Sequence, residues 1–430
     1  MPLIIKISLF CLVFTASWAQ GIRYHVDLQH IQDDRVPVQV FLPKQQKNSI
    51  VFSFPKQVPG TYSNYDFGRY IQDFKAIAKD GKSLPVKQKN VNQYQIEQSN
   101  LLDHISYSVN DTWDSPEIKG EYIFEPAGTN IQADTMVAFN VHGFLGYVEG
   151  QSTLPVQVSI DKPSQLFGST SLVNTGKGNK DVFTSLNYQS LVDAPIMYSE
   201  ADTTNLQFGD TQILVSVYSP NHTISAKQIA ENIRPMLIAQ RNYLGGKFPV
   251  KRYAFIIVLS DNLKGGSFGA LEHSHSSFYY LPEGTIDQLG QTIRDVCAHE
   301  FFHIITPLSI HSEEIGNFDF MNPKMSQHLW LYEGLTEYAA HHMQLQGKLI
   351  DSDAFFRTIQ EKKETMEMQF KQDVSFTNIS KQVLWKYKDQ YANVYQKGAL
   401  IGFGLDLTLR QLSHGKWNNQ LLLQALSKEF

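Results

Sequence analysis

Hydrophobic and polar positions fall into two textures along the chain. From Ile22 to about Tyr198 they alternate in short runs: RYHVDLQH, VPVQVFLP, SIVFSFP, QYQIEQ, YSVNDTW, TMVAFNVHG and LPVQVSID. Period-two alternation sets one face of a strand in a core and the other in solvent. Turn residues punctuate the runs, as at Pro59-Gly60, Asp80-Gly81 and Asp161-Lys162-Pro163. Short strands at this spacing predict an all-β, sandwich-like domain over residues 20–200.

Past residue 200 the pattern changes. Residues 225–244 predict a helix, with Ser225 at its N-cap, Gly245-Gly246 as its stop and Pro235 as an awkward interior residue. The apolar run YAFIIVLSD (253–261) predicts a buried strand, and an extended run through GALEHSHSSFYYL follows a Gly-rich stretch. From Thr285 onward the chain reads as mainly helical. Thr285 and Gln288 have capping-box spacing, and Leu289, Ile293 and Val296 form an apolar stripe on a helix running to Thr306-Pro307. The expectation is a multidomain protein whose residues 201–430 form an α/β catalytic domain with a mainly helical C-terminal part.

A length of 430 residues agrees with more than one core. The net charge of −5 offers no basic character for nucleic acid, so no nucleic-acid partner is expected. The first residues change the picture more. Lys6 precedes the apolar run ISLFCLVFTASWA, which ends with Ser17 and Ala19 at the small positions of a cleavage site. This predicts a signal peptide over residues 1–19 and an exported protein, secreted or periplasmic. The run is shorter than the roughly 20 apolar residues that span a bilayer, and no later segment is apolar enough to cross one. Cys11 leaves with the signal, so Cys297 remains alone and is expected to be a buried thiol.

Candidate chemistry centres on AHEFFHI (298–304), which contains His-Glu-x-x-His. On a helix His299 and His303 project from one face a turn apart, so their imidazoles can meet one metal ion. Glu300 lies beside them, placed to take a proton from an attacking water. A catalytic zinc needs a third protein ligand and an open position. WLYEGLTEY (330–338) offers Glu333 for that ligand, and Glu337, one turn on, can accept a ring N–H from a ligand histidine. His311 does not fit the spacing of a third histidine ligand. His273, His275, His328, His341 and His342 are expected to be structural or solvated.

These segments, with GALEHSHSS (269–277) and YQKGALIGFGLDLTLR (395–410), resemble the glycyl aminopeptidase family of gluzincin metallopeptidases. VPGTYSNYDFGRYI (58–71) and LVDAPIMY (191–198) resemble that family's β-domain, so the likeness spans most of the chain. The resemblance implies a thermolysin-like catalytic domain and one Zn2+ per chain held by His299, His303 and Glu333. It implies Glu300 as catalytic base and Tyr395 as the tyrosine that stabilises the oxyanion. Glu272 is implied to hold the free amine of a peptide substrate, with Gly269 and Ala270 lining the substrate beside it and backbone N–H groups of 265–270 aiding the oxyanion. The implied activity is removal of small N-terminal residues, Gly or Ala. An endopeptidase and a catalytically silent binding protein on the same fold are the alternatives. Two departures stand out. Ser274-His275 occupies the place where Arg-Asn is expected, and the family's further helices and PDZ domain would lie beyond Phe430.

Overall fold

A computed structural model describes residues 21–115, 118–263 and 268–429. The predicted signal segment lies outside the described residues. The chain divides into two compact units, residues 1–57 with 65–201, and residues 58–64 with 202–430.

The first unit is built of strands, as its alternation dictates. Among the described residues its largest sheet has six strands, in the order Lys180–Ser185, Val156–Asp161, Ile22–Asp27, Arg35–Phe41, Leu102–Asn110 and Ile71–Ala78. Neighbours are antiparallel except Ile22–Asp27 and Val156–Asp161, which run parallel. In Val156–Asp161 every second residue is buried, so Val156, Val158 and Ile160 enter the core. Two smaller antiparallel sheets complete the unit, one around Ser49–Ser53 and Gln93–Glu97, the other around Met136–Phe139 and Ile196–Ser199. Phe52, Phe54, Phe74, Tyr94 and Tyr107 pack ring against ring inside it.

The second unit is a sheet with helices. Its strand order is Thr203–Phe208, Thr211–Tyr218, Arg252–Ser260, Ser276–Pro282 and Gly269–His273, with the two central pairings parallel. The central strand Arg252–Ser260 is buried on both faces, which is why it reads as one continuous apolar run. The stretch GALEHSHSSFYYL, expected as one extended run, is two strands: Gly269–His273 and Ser276–Pro282 pair antiparallel around a tight turn. Gly269–His273 is the edge of this sheet among the described residues. Helix Ala226–Tyr243 begins at a Ser225/Gln228 capping box and continues through Pro235. Its Ile229, Ile233, Met236 and Leu237 share a core with Val215, Phe255, Ile257 and Ile293. No helix among the described residues is long and apolar enough to cross a membrane.

Candidate active site

Helix Ile286–Phe302 starts where Gln288 turns back to accept the Thr285 backbone N–H at 3.0 Å. Ile293, Cys297, Ala298 and Phe301 bury one side of it in the core of the second unit. That fixes its rotation and so the direction of His299 and Glu300. His303 follows as the C-cap residue. Its Nδ1–H donates to the Thr306 carbonyl at 2.8 Å, which leaves Nε2 free to act as a ligand.

Glu333 comes from a wide turn rather than a regular helix. Trp330–Leu335 is π-helical and runs directly into helix Thr336–Gln346. Such single wide turns recur at functional sites because they rotate one side chain out of the ordinary register. Glu333 Oε2 lies 3.3 Å from His299 Nε2 and 3.7 Å from His303 Nε2. Glu337 Oε2 accepts from His299 Nδ1 at 2.6 Å, so both histidines turn Nε2 toward the same carboxylate oxygen. Ligand-capable atoms of His299, His303 and Glu333 all lie within 4.8 Å of one another. Two imidazole nitrogens and one carboxylate, each ring oriented by an outer acceptor, suit zinc with an open fourth position.

Two glycines set the approach of Tyr395. A Cβ on Gly334 would sit 2.5 Å from the Gly398 Cα, and one on Gly402 would sit 2.8 Å from the Tyr338 Cβ. Helix Asn393–Leu412 therefore lies backbone against backbone on the Glu333 turn, and Tyr395, one turn before Gly398, reaches the site. The Tyr395 ring centroid is 5.6 Å from that of His299, and its hydroxyl is 2.7 Å from that of Tyr391.

Glu272 projects from the edge strand, where Gly269 and Ala270 pair with Tyr280 and Tyr279. Glu272, Glu300 and His303 form a second close group of potential ligands, so Glu272 faces the same space. The 265–270 segment falls partly on residues outside the described ones. Of the histidines expected to be structural or solvated, His341 is hydrogen-bonded: its Nε2 lies 3.3 Å from Glu337 Oε1, which also accepts from Lys362 Nζ at 2.5 Å. His273, His275, His328 and His342 belong to neither ligand group. Cys297 is buried and, among the described residues, forms no disulfide.

Charges at the site follow from burial and crowding. Burial pushes Glu300 up to about 8, with the Glu333 and Glu337 carboxylates adding and His299 opposing. Its Oε2 is buried without a hydrogen-bond partner among the described residues. Burial, then Glu333 and Glu300, raises Glu272 well above the carboxylate range. Glu333 would also rise by burial, but His303, His299 and the Tyr62 hydroxyl hold it below its ordinary value. Burial lowers His303 to about 4, keeping it in the neutral form a metal requires. Glu337, despite burial, is held well below its usual value by Lys362, His299 and His341. Burial and Glu333 keep Tyr395 protonated, so its hydroxyl has a proton to donate. Tyr62 was not among the residues expected here. It reaches Glu333 from far back in the sequence, donating to Oε1 at 2.8 Å.

Two segments of the chain match domains of a known family. Residues 23–200 match the Peptidase M61 N-terminal domain, and residues 292–401 match the M61 glycyl aminopeptidase domain. An aminopeptidase N family protein from Idiomarina loihiensis aligns with a TM-score of 0.83 at 21% identity, covering 95% of this chain and 70% of that one. The M1 zinc metallopeptidase from Deinococcus radiodurans aligns at 0.51 and 13% identity, over 96% of this chain and 86% of its own. Leukotriene A4 hydrolase from Saccharomyces cerevisiae aligns at 0.52 and 13%, over 95% and 62%. No curated protein shows significant sequence similarity to the chain. The structural likenesses, all at low identity, establish the fold. The two domain matches, in order along the chain and around the His299–Glu333 cluster, place it among the metallopeptidases of the M61 glycyl aminopeptidase family.

Proposed function

We propose that the chain is a zinc aminopeptidase that binds one zinc through His299, His303 and Glu333 and releases small N-terminal residues, Gly or Ala, from peptides. The observation that carries this reading is a pair of histidine Nε2 atoms converging on Glu333 Oε2, beside the buried carboxyl of Glu300. When bound, zinc polarises the scissile carbonyl and acidifies the attacking water. Glu300 accepts the water's proton and later delivers it to the leaving amine. The Tyr395 hydroxyl donates to the developing oxyanion. The substrate backbone pairs along the edge at Gly269 and Ala270, a mode of peptide recognition that uses an unpaired strand edge. Glu272 then meets the free ammonium, whose positive charge offsets the crowding of Glu272 by Glu333 and Glu300.

Cleavage of matched peptides with free and acetylated N-termini, on protein of measured zinc content, tests the reading. Free-amine peptides are expected to be cut and acetylated ones not. Glu272→Gln is expected to lower kcat/KM for the free-amine series alone. Equal cleavage of both series by the unsubstituted protein overturns the exopeptidase reading and leaves an endopeptidase. Export belongs to the same proposal and rests on the apolar run before Ala19. A mature N-terminus at Gln20 is expected by protein sequencing, and a retained Met1 counts against it.

A further inference from the structure

Residues 58–64 come early in the chain, yet they pack as part of the second unit. Within them Thr61 Oγ1 donates to the Val58 carbonyl at 2.8 Å, closing a turn around Gly60, whose φ is +79°. A Cβ on Gly60 would stand 2.8 and 2.9 Å from the two Glu272 carboxylate oxygens, so the turn lies against that side chain, and its positive φ favours glycine. Tyr62 follows with φ of 47°, a left-handed conformation that is uncommon and costly for a bulky residue. Its ring packs on that of Tyr391 with centroids 5.1 Å apart. Its hydroxyl donates to Glu333 Oε1 at 2.8 Å.

We infer that Tyr62 is a positioning residue for the metal, which pins the outer oxygen of Glu333 so that the other oxygen stays on His299 and His303. The inference rests on the proposed zinc site. A carboxylate can turn about its terminal bond and offer a metal either oxygen or both. Here the two oxygens have different partners: Oε2 faces the two Nε2 atoms, and Oε1 is taken by Tyr62. Glu337 and the Thr306 carbonyl orient the two histidines in the same way. All three ligands thus have an outer partner, and the one for Glu333 comes from 271 residues away in sequence. Ring packing alone would hold Tyr62 without any need for its hydroxyl, and that is the reading to exclude.

The test is Tyr62→Phe, which keeps the ring and removes the donor. Zinc affinity is measured by competition with a chelator, the Co2+-substituted protein by its visible absorption, and the metal-free protein by its melting temperature. The expected result is an unchanged metal-free melting temperature, zinc binding weakened about 10–100-fold, the usual cost of removing an outer partner of a ligand, and an altered Co2+ spectrum. An unchanged zinc affinity together with an unchanged Co2+ spectrum overturns the inference. Should Tyr62→Phe fail to fold, Tyr62→Gln and Tyr62→Leu replace it. Tighter zinc binding by the variant that keeps a donor supports the inference, and equal binding overturns it. If the unsubstituted protein takes up no zinc, the metal site itself falls and Tyr62 with it. If it binds zinc and Tyr62→Phe binds as tightly, only the role of Tyr62 falls.

Discussion

Buried carboxylates are treated differently in the two units. In the β-rich unit Asp111 accepts backbone N–H groups from Asp114 and Ile131 at 3.1 and 3.0 Å, and Asp181 accepts from Asn174 and Tyr198 at 2.6 and 3.1 Å. Glu125 accepts from Tyr122. The catalytic unit can do the same, since Asp406 is answered by Arg410 and the Asn419 N–H. Yet at its centre Glu300 keeps a buried oxygen with no hydrogen-bond partner among the described residues, and Glu272 faces it from the edge strand. Asp406 is enclosed by partners of the fold, whereas Glu300 and Glu272 form a close group with His303, and clustered titratable groups of raised proton affinity mark a reacting site. The contrast implies that removing the charge should harm function in one unit and stability in the other.

Glu300→Gln should show the largest effect. Metal content is expected to be retained while turnover falls by about 10²–10⁴-fold, the range for a lost general base. Stability should move the other way. The folded metal-free protein holds the Glu300 proton up to about pH 8, whereas the unfolded chain releases it near the ordinary 4.5. Between those values the folded state binds more protons, so this group's contribution to stability falls as pH rises. Glutamine carries no such penalty, and the metal-free melting temperature should fall less steeply with pH in the variant. A variant that melts lower at every pH while keeping its turnover would break the comparison.

Tyrosines extend it. In the β-rich unit Tyr24 and Tyr107 donate to the carbonyls of Gly146 and Phe144 at 2.8 and 2.9 Å, hydroxyls used to satisfy backbone. The Tyr395 hydroxyl instead bonds to another hydroxyl, that of Tyr391, at 2.7 Å. Tyr395→Phe should lower kcat about 10²–10³-fold with little change in KM, as for one oxyanion donor. Tyr24→Phe should cost about 1–3 kcal/mol of stability through its stranded carbonyl and leave kcat alone. Both effects are read by steady-state kinetics and thermal melts on the same pair of variants. An unchanged kcat for Tyr395→Phe would return that residue to ordinary packing.

What could be read from sequence followed local periodicity. The alternating runs of the first unit, the Ser225 and Thr285 caps and the apolar Arg252–Ser260 strand are local signals, and each element forms where its signal lies. Strand Ile71–Ala78 escaped because Asp73 takes φ of 54° and the pairing register shifts between Gln72 and Lys75, which breaks the alternation. At the site, the convergence of His299, His303 and Glu333 followed from helical spacing and the need for a third ligand. The wide turn at Trp330–Leu335 did not, since nothing in WLYEGL separates a π turn from an α turn. His341 could have been found, being four residues from Glu337 on one helix face. Tyr62 could not: no spacing rule links it to Glu333, and its one trace is the PGTY run shared with the family's β-domain.

The smallest effect lies in the β-rich unit and concerns Asp111. Burial, together with a side-chain hydrogen bond shared with the Asp114 carboxyl, lifts this carboxyl to about 7 from the ordinary 3.8, while the Asp114 and Ile131 N–H groups oppose the rise. Below 3.8 both folded and unfolded chains hold the proton, and above 7 both have released it. Between the two the folded state binds the extra proton, so stability contributed here falls as pH rises from about 4 to 7 and is flat beyond. One proton limits the slope to about 1.4 kcal/mol per pH unit. Amide exchange at Ile131 and Asp114, whose N–H groups end on this carboxylate, reads it in the intact chain once intrinsic rates are removed. Protection at both amides is expected to decline across that window. Asp111→Asn should lower protection at every pH, because an amide nitrogen then faces one of the two N–H donors, but it should flatten the decline. Its turnover should match that of the unsubstituted protein. An undiminished slope would mean that other groups govern the window, and a fall in turnover would mean that the acids of the two units are not separated in role as their hydrogen bonds imply.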